Sequence, residues 1–223
     1  MDYNPLKQRH HGERKNYPHN LSLRVHRALS GLHLACPDEN DLDGQFILLW
    51  PAFNAAYDQY VVCLNVFEAV AFSRFVTKIS DVDHNQDLTK LVWIFYPSSI
   101  RLLLDNPYVF QSFWDHQKGH DNVHDNVHDN VHNRQEKTHK DKPQANMALA
   151  KQHTNKIIEL VLTRLYTLRN HIIHAGATWN CNVNRSQLFD GVNLLGKQAL
   201  IIINVMMNNP QVLWGEANYP MIE

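Results

Sequence analysis

The sequence predicts an all-α fold, and three observations carry that prediction. Apolar residues recur three and four apart over most of the chain, the spacing of one helix face. Hairpin turn signals between alternating strands are missing, and the β-prone Ile201-Ile202-Ile203 sits inside a helical period. Prolines at 37, 97 and 210 fall where the helical runs stop. With 223 residues, 44% of them hydrophobic, the chain can bury the core of one domain spanning 1–223.

Residues 1–20 are polar, basic and rich in His and Pro, and read as a flexible basic arm. Leu21 to Ala35 carries Leu21, Val25, Ala28, Leu29 and Leu32 at helical spacing. Asp41 then offers a cap to a helix over Leu42 to Tyr60, which Pro51 should kink or split. Val61 to Ile79 reads as a further helix. Shorter ones are expected over Leu88 to Tyr96, Ser98 to Leu104 and Val109 to Trp114, with Pro97 as a breaker. Met147 to His174 is expected as one long helix, its stripe running through Ile157, Val161, Leu165, Leu168 and Ile172. Gly176 supplies a stop signal. The last helix begins at Asn184, with Gln187 in a capping-box position, and ends at Asn209-Pro210.

Charge and composition exclude several classes. With 21 basic and 22 acidic residues the surface cannot be uniformly basic, so any nucleic-acid contact must be a local patch. Cys36, Cys63 and Cys181 are odd in number and widely spaced, which suits a reducing cytoplasm without a disulfide framework. The polar N-terminus has no apolar signal segment, and no uncharged apolar run approaches the roughly 20 residues of a membrane span. A soluble cytoplasmic protein without a membrane partner is expected.

One interval stands apart. Residues 116–143 hold almost no large apolar side chains, and His120 to His132 repeats His-Asp-Asn-Val three times before a closing His. Such a segment cannot offset its ordering entropy by burial and reads as a disordered insertion. His120, His124, His128 and His132 are four apart, so zinc or nickel binding is conceivable. Each step of four drifts by about 40°, spreading the four over about 120° of a helix that Asp, Asn and Val do not favour. The expectation is a surface repeat and no bound metal.

The chemistry concentrates at Arg169-Asn170-His171-Ile172-Ile173-His174. Arginine can hold a phosphate through two parallel hydrogen bonds, and histidine moves protons near neutral pH. Residues four apart on a helix lie about 40° apart, so Tyr166, Asn170 and His174 share a face. Residues five apart diverge by about 140°, so Arg169 and His174 do not face one point within a single helix. A two-fold dimer with this helix at the interface would bring them together. Lys151, Lys156 and Arg164 precede the motif and could steer phosphate toward it. The cluster Lys7, Arg9, Arg14 and Lys15 could form an RNA-contacting arm. Asn54 and Tyr57 read as polar residues at a helix contact.

The string from Leu168 to Trp179, with Arg169, Asn170, three intervening residues and His174, resembles the signature of the HEPN superfamily. That signature often continues into Gly-Gly, where this chain has Ala175 and Gly176. Leu23 to Leu29, Asp41 to Phe46, Phe53 to Tyr57 and the tail from Trp214 to Glu223 are similar to small bacterial HEPN proteins, so the likeness covers most of the chain outside the insertion. The resemblance implies a HEPN-like helical bundle and a dimeric, metal-independent RNA endonuclease, often a toxin or antiphage effector. It implies no cofactor and admits an inhibitor or antitoxin partner. Arg169 would stabilise the phosphorane, His174 would move the proton and Asn170 would orient. From position alone, Tyr166, on the face of Asn170 and His174, could contact the substrate or pack at an interface, and Arg164 could contact the substrate. Two alternatives stand beside it. One is a non-catalytic module binding RNA, a nucleotide or a partner protein; the other is a metal-binding protein built on the His repeat.

Overall fold

In the computed structural model the described residues are 2–35, 41–57, 68–106, 109, 142–174, 178–180 and 185–216. Among them the fold is all-α, with no strand. In chain order the helices are α1 (Tyr3–Glu13), α2 (His19–Leu34), α3 (Leu42–Tyr57), α4 (Glu68–Val82), α5 (Asp87–Lys90), α6 (Pro97–Asp105), α7 (142–150), α8 (Thr154–Ile173) and α9 (Arg185–Asn208). The His repeat, Asn184 and the end of the motif turn at 175–177 lie outside the described residues, as does 110–114 of the helix expected from Val109.

The apolar stripes read from the sequence face one core. α3 lies between α2 and α9, and α8 packs against α4 and α3. Phe46, Trp50, Phe53, Tyr57, Phe72, Phe75 and Tyr166 form a continuous chain of ring contacts joining α3, α4 and α8. α9 is long and apolar enough to cross a bilayer by length and composition. Most of its apolar residues, including Leu195, Ile203 and Met206, are buried in this core.

Gly31 lets α2 and α3 cross closely. A Cβ there would lie 2.9 Å from the backbone N and Cα of Ala52, which cannot swing aside. Gly31→Val is therefore expected to destabilise by about 1–3 kcal/mol or more through overpacking. A chemical-denaturation midpoint like that of the wild type would contradict this close approach.

Four expectations are corrected. First, residues 1–20 are not a loose arm: α1 buries Leu6 and His10, and a 3₁₀ turn over Arg14–Asn16 follows it. Arg9 ties α1 to α9 by donating to Asn204 Oδ1 (3.1 Å) and Asn208 Oδ1 (2.7 Å). Second, Pro51 does not split α3; it sits on the exposed side, where the carbonyl it leaves unbonded can meet water. Third, Leu88 to Tyr96 is not one α-helix. α5 passes into a π-helical segment at Leu91–Phe95, closed by Tyr96 N–H to Leu91 O at 3.0 Å. Fourth, the single helix over Met147 to His174 is two. Gln152 takes φ 53° and His153 N–H bonds back to Ala148 O at 2.9 Å, a Schellman-type stop without the usual glycine. Residues 142 and 143, expected within the insertion, belong to α7, and 116–141 lie outside the described residues.

His10 gives this docking a pH dependence. Burial, reinforced by His26, Arg14 and His11, holds its proton affinity below the ordinary value of 6.5. The unfolded chain therefore binds the proton more readily than the folded one between that lowered value and 6.5. Stability present above pH 6.5 should fall as pH drops through this window and then level off. His10→Gln should flatten that part of a melting-temperature profile against pH; an unchanged slope would place the effect elsewhere.

Candidate active site

The motif occupies the C-terminal turns of α8, where the backbone holds it tightly. Ile157, Val161, Leu165 and Leu168 are all buried, fixing the rotation of the helix. Tyr166, half-buried, wedges its ring against Trp50 of α3 (5.9 Å between centroids) and Phe72 of α4 (6.2 Å). The Arg169 guanidinium lies over that ring, 5.6 Å from its centroid. Its Nη1 donates to Asn170 Oδ1 at 3.3 Å. Arg169 thus rests on an aromatic face and an amide oxygen, and it meets no carboxylate among the described residues. A cation held this way keeps its charge for an incoming anion.

His174 caps the helix. Its backbone N–H bonds to Asn170 O at 3.0 Å, and its side chain is exposed. The structure brings Tyr166, Arg169 and Asn170 into mutual contact and leaves His174 at the rim, one turn beyond Asn170. On the end of α8 and the elements that follow it, three large apolar side chains are exposed: Ile173, Trp179 and Phe189, at 46%, 54% and 56%.

Arg164 requires a correction. It is only 3% exposed, turned into the core rather than toward solvent, so it cannot serve as a substrate contact in this conformation. The position explains this. Arg164 lies one residue before Leu165 and three after Val161, within the buried stripe. Lys156 is paired with Glu159 at 2.6 Å, and Lys151 lies in the turn before α8, whose first residue Thr154 is already about 22 Å along the helix axis from Arg169. Neither is placed to steer phosphate to the motif.

The sequence reading missed what anchors the segment after the motif. Asp43, in the first turn of α3, is buried and pairs with Arg185 of α9 at 2.6 Å. Its Oδ2 also accepts from the Asn180 backbone N–H at 3.2 Å. Arg185 donates in turn to Asn180 Oδ1 at 2.8 Å. This triangle fixes where the chain goes after α8. A lone acid in the first turn of an otherwise uncharged helix was the available signal. Nearby, Asp41 Oδ1 accepts from Gly44 N–H at 3.0 Å, and a Cβ on Gly44 would collide with that carboxylate.

Among the described residues no group of His, Cys, Asp and Glu is arranged to hold a metal ion. No protein-family model, curated protein or solved structure matches this chain.

Proposed function

We propose that the chain is a HEPN-type, metal-independent RNA endonuclease that works as a homodimer through the end of α8. The observation that carries the reading is Arg169, a cation presented on Tyr166 beside Asn170 without a carboxylate among the described residues, one turn from the exposed imidazole of His174. In the proposed reaction the ribose 2′-oxygen attacks the adjacent phosphorus as the bond to the 5′-oxygen breaks. The 2′-proton passes to a base and the departing 5′-oxygen takes one up. The products are a 2′,3′-cyclic phosphate and a 5′-hydroxyl. His174 moves a proton, Arg169 balances the charge growing on the phosphorane oxygens, and Asn170 orients.

Helix spacing supports the dimer. Arg169 and His174 are five residues apart, so they diverge by about 140° and about 7.5 Å along one helix. A facing copy offers its own His174 to the first copy's Arg169. The exposed Ile173, Trp179 and Phe189 give that contact an apolar rim. Such an enzyme would act on RNA in the cytoplasm as a toxin or antiphage effector, held in check by an inhibitor or antitoxin.

The test is cleavage of single-stranded RNA in EDTA with mapped product ends. Cyclic phosphate and 5′-hydroxyl ends support the reading. The same divergence favours the second reading, a non-catalytic binding module, if the chain is monomeric at micromolar concentration and cuts no RNA.

A further inference from the structure

A second feature lies on the opposite helix pair. α1 runs antiparallel to α2, and between them is a groove of about 640 Å³ lined by Tyr3, Lys7, His11, Arg14, His26 and His33 among others. We propose that this groove binds the phosphates and base of a nucleotide, either free or within a single RNA strand. The inference does not depend on the ribonuclease reading, because it concerns α1 and α2 rather than α8.

Charge is the first argument. The chain carries 22 acidic residues against 21 basic ones, yet none of the groove's lining residues is Asp or Glu. Lys7 and Arg14 are exposed, and neither meets a carboxylate among the described residues. Arg9, on the same helix, shows the contrast: it is taken up by Glu13 at 3.0 Å and by two asparagines of α9. The basic side chains are thus sorted: Arg9 ties α1 down, while Lys7 of α1, lying over the Tyr3 ring at 5.5 Å, and Arg14 of the 3₁₀ turn that follows line the groove. Lys7 and Arg14 are seven residues apart, about 10 Å along the helix axis, which suits an anion carrying charge at two points.

The rings are the second argument. Tyr3 and His33 stack across the groove with centroids 5.7 Å apart and planes 12° apart. His10 and His26 also stack, at 6.2 Å and 28°; His10 is buried, so the exposed His26 is the member of this pair that offers a face to the groove. Flat faces between two cations are how a single-stranded nucleotide is gripped, with stacking on the ring and ion pairing at the phosphate. The size lies within the range of small-ligand clefts. These histidines are not grouped to hold a metal ion.

The experiment is fluorescence anisotropy on the full chain carrying His174→Ala, so that cleavage cannot consume the probe. The probes are a labelled uridylate hexamer and labelled ADP at low salt, with a poly-glutamate peptide as competitor. At least one probe should bind, and Lys7→Glu with Arg14→Glu should weaken that binding at least tenfold while leaving the melting temperature unchanged. Tyr3→Ala should weaken it about tenfold, the value of one stacked base. Binding of ADP would identify a free nucleotide as the ligand, and binding of the hexamer alone would identify an RNA strand. The proposal is overturned if neither probe binds, or if the Lys7/Arg14 variant binds as the parent does. It is equally overturned if poly-glutamate displaces the probe as well as unlabelled RNA does, since acid recognition alone would then explain the groove.

Discussion

Alanine at Arg169 or at His174 should each lower RNA cleavage by about 10²–10⁴-fold, the usual weight of a phosphate-stabilising cation or a positioned proton carrier. The fold should hardly register either change. His174 is exposed at the helix end, and Arg169 gives up a ring contact worth about 0.5–1 kcal/mol together with one long hydrogen bond to its neighbour Asn170. A variant that keeps its melting temperature and loses cleavage separates chemistry from folding. Retained cleavage in both variants would remove the motif from the mechanism.

The two-copy geometry makes a sharper prediction from the same pair. If Arg169 of one copy serves with His174 of the other, mixing the two inactive variants should restore activity. Each mixed dimer would then hold one site with both substitutions and one with neither. A site built within one chain would give no recovery on mixing. Asn170→Ala should cost less than either, because its contact with Arg169 is a long 3.3 Å bond that positions rather than carries charge. Measuring initial rates across mixing ratios distinguishes the two arrangements.

How far the sequence could be read follows the kind of interaction at each place. The stripe of α8 was legible because Ile157, Val161, Leu165 and Leu168 repeat at the helical period, and all are buried. That Tyr166 and Asn170 neighbour Arg169 was legible for the same reason, since spacing on a regular helix fixes which side chains are close. α1 was not, because only Leu6 and His10 are buried on it and its hold on α9 is the polar reach of Arg9 to Asn204 and Asn208. Polar contacts between residues almost two hundred positions apart leave no periodic trace. The break at Gln152 was hidden because a left-handed stop is normally announced by glycine. Arg164 was misplaced because a charged residue was assumed to face solvent, whereas its position in the heptad faces the core.

Arg24 carries the largest expected effect on stability, and nothing in its neighbourhood of the sequence announces it. The side chain is 1% exposed. Its Nε donates to Ala55 O at 3.3 Å and its Nη2 to Ala56 O at 2.8 Å, while Nη1 donates to Trp214 O. The fork therefore takes carbonyls near the C-terminal end of α3 and joins them to the segment after α9. Lys78 works beside it, reaching Leu213 O and lying over the Trp214 ring at 5.4 Å. Burial lowers the proton affinity of Lys78, and the Arg24 charge lowers it further. Arg24→Ala would strand two buried acceptors, Ala56 O and Trp214 O, each costing about 1–3 kcal/mol, and would release the part-buried Ala55 O as well. Relaxation recovers some of that, so a net loss of about 3–5 kcal/mol is expected, a large part of a small domain's stability. Arg24→Lys should recover only a fraction, because one ammonium cannot span three divergent carbonyls as a planar fork does. Arg24→Met keeps the bulk without the donors, so it separates packing from hydrogen bonding. Urea midpoints for the three variants, read with an unchanged slope, test the ranking of Lys above Met and Met above Ala. A methionine variant as stable as the wild type would show that shape, and not the donated bonds, holds the end of α3 to the C-terminal segment.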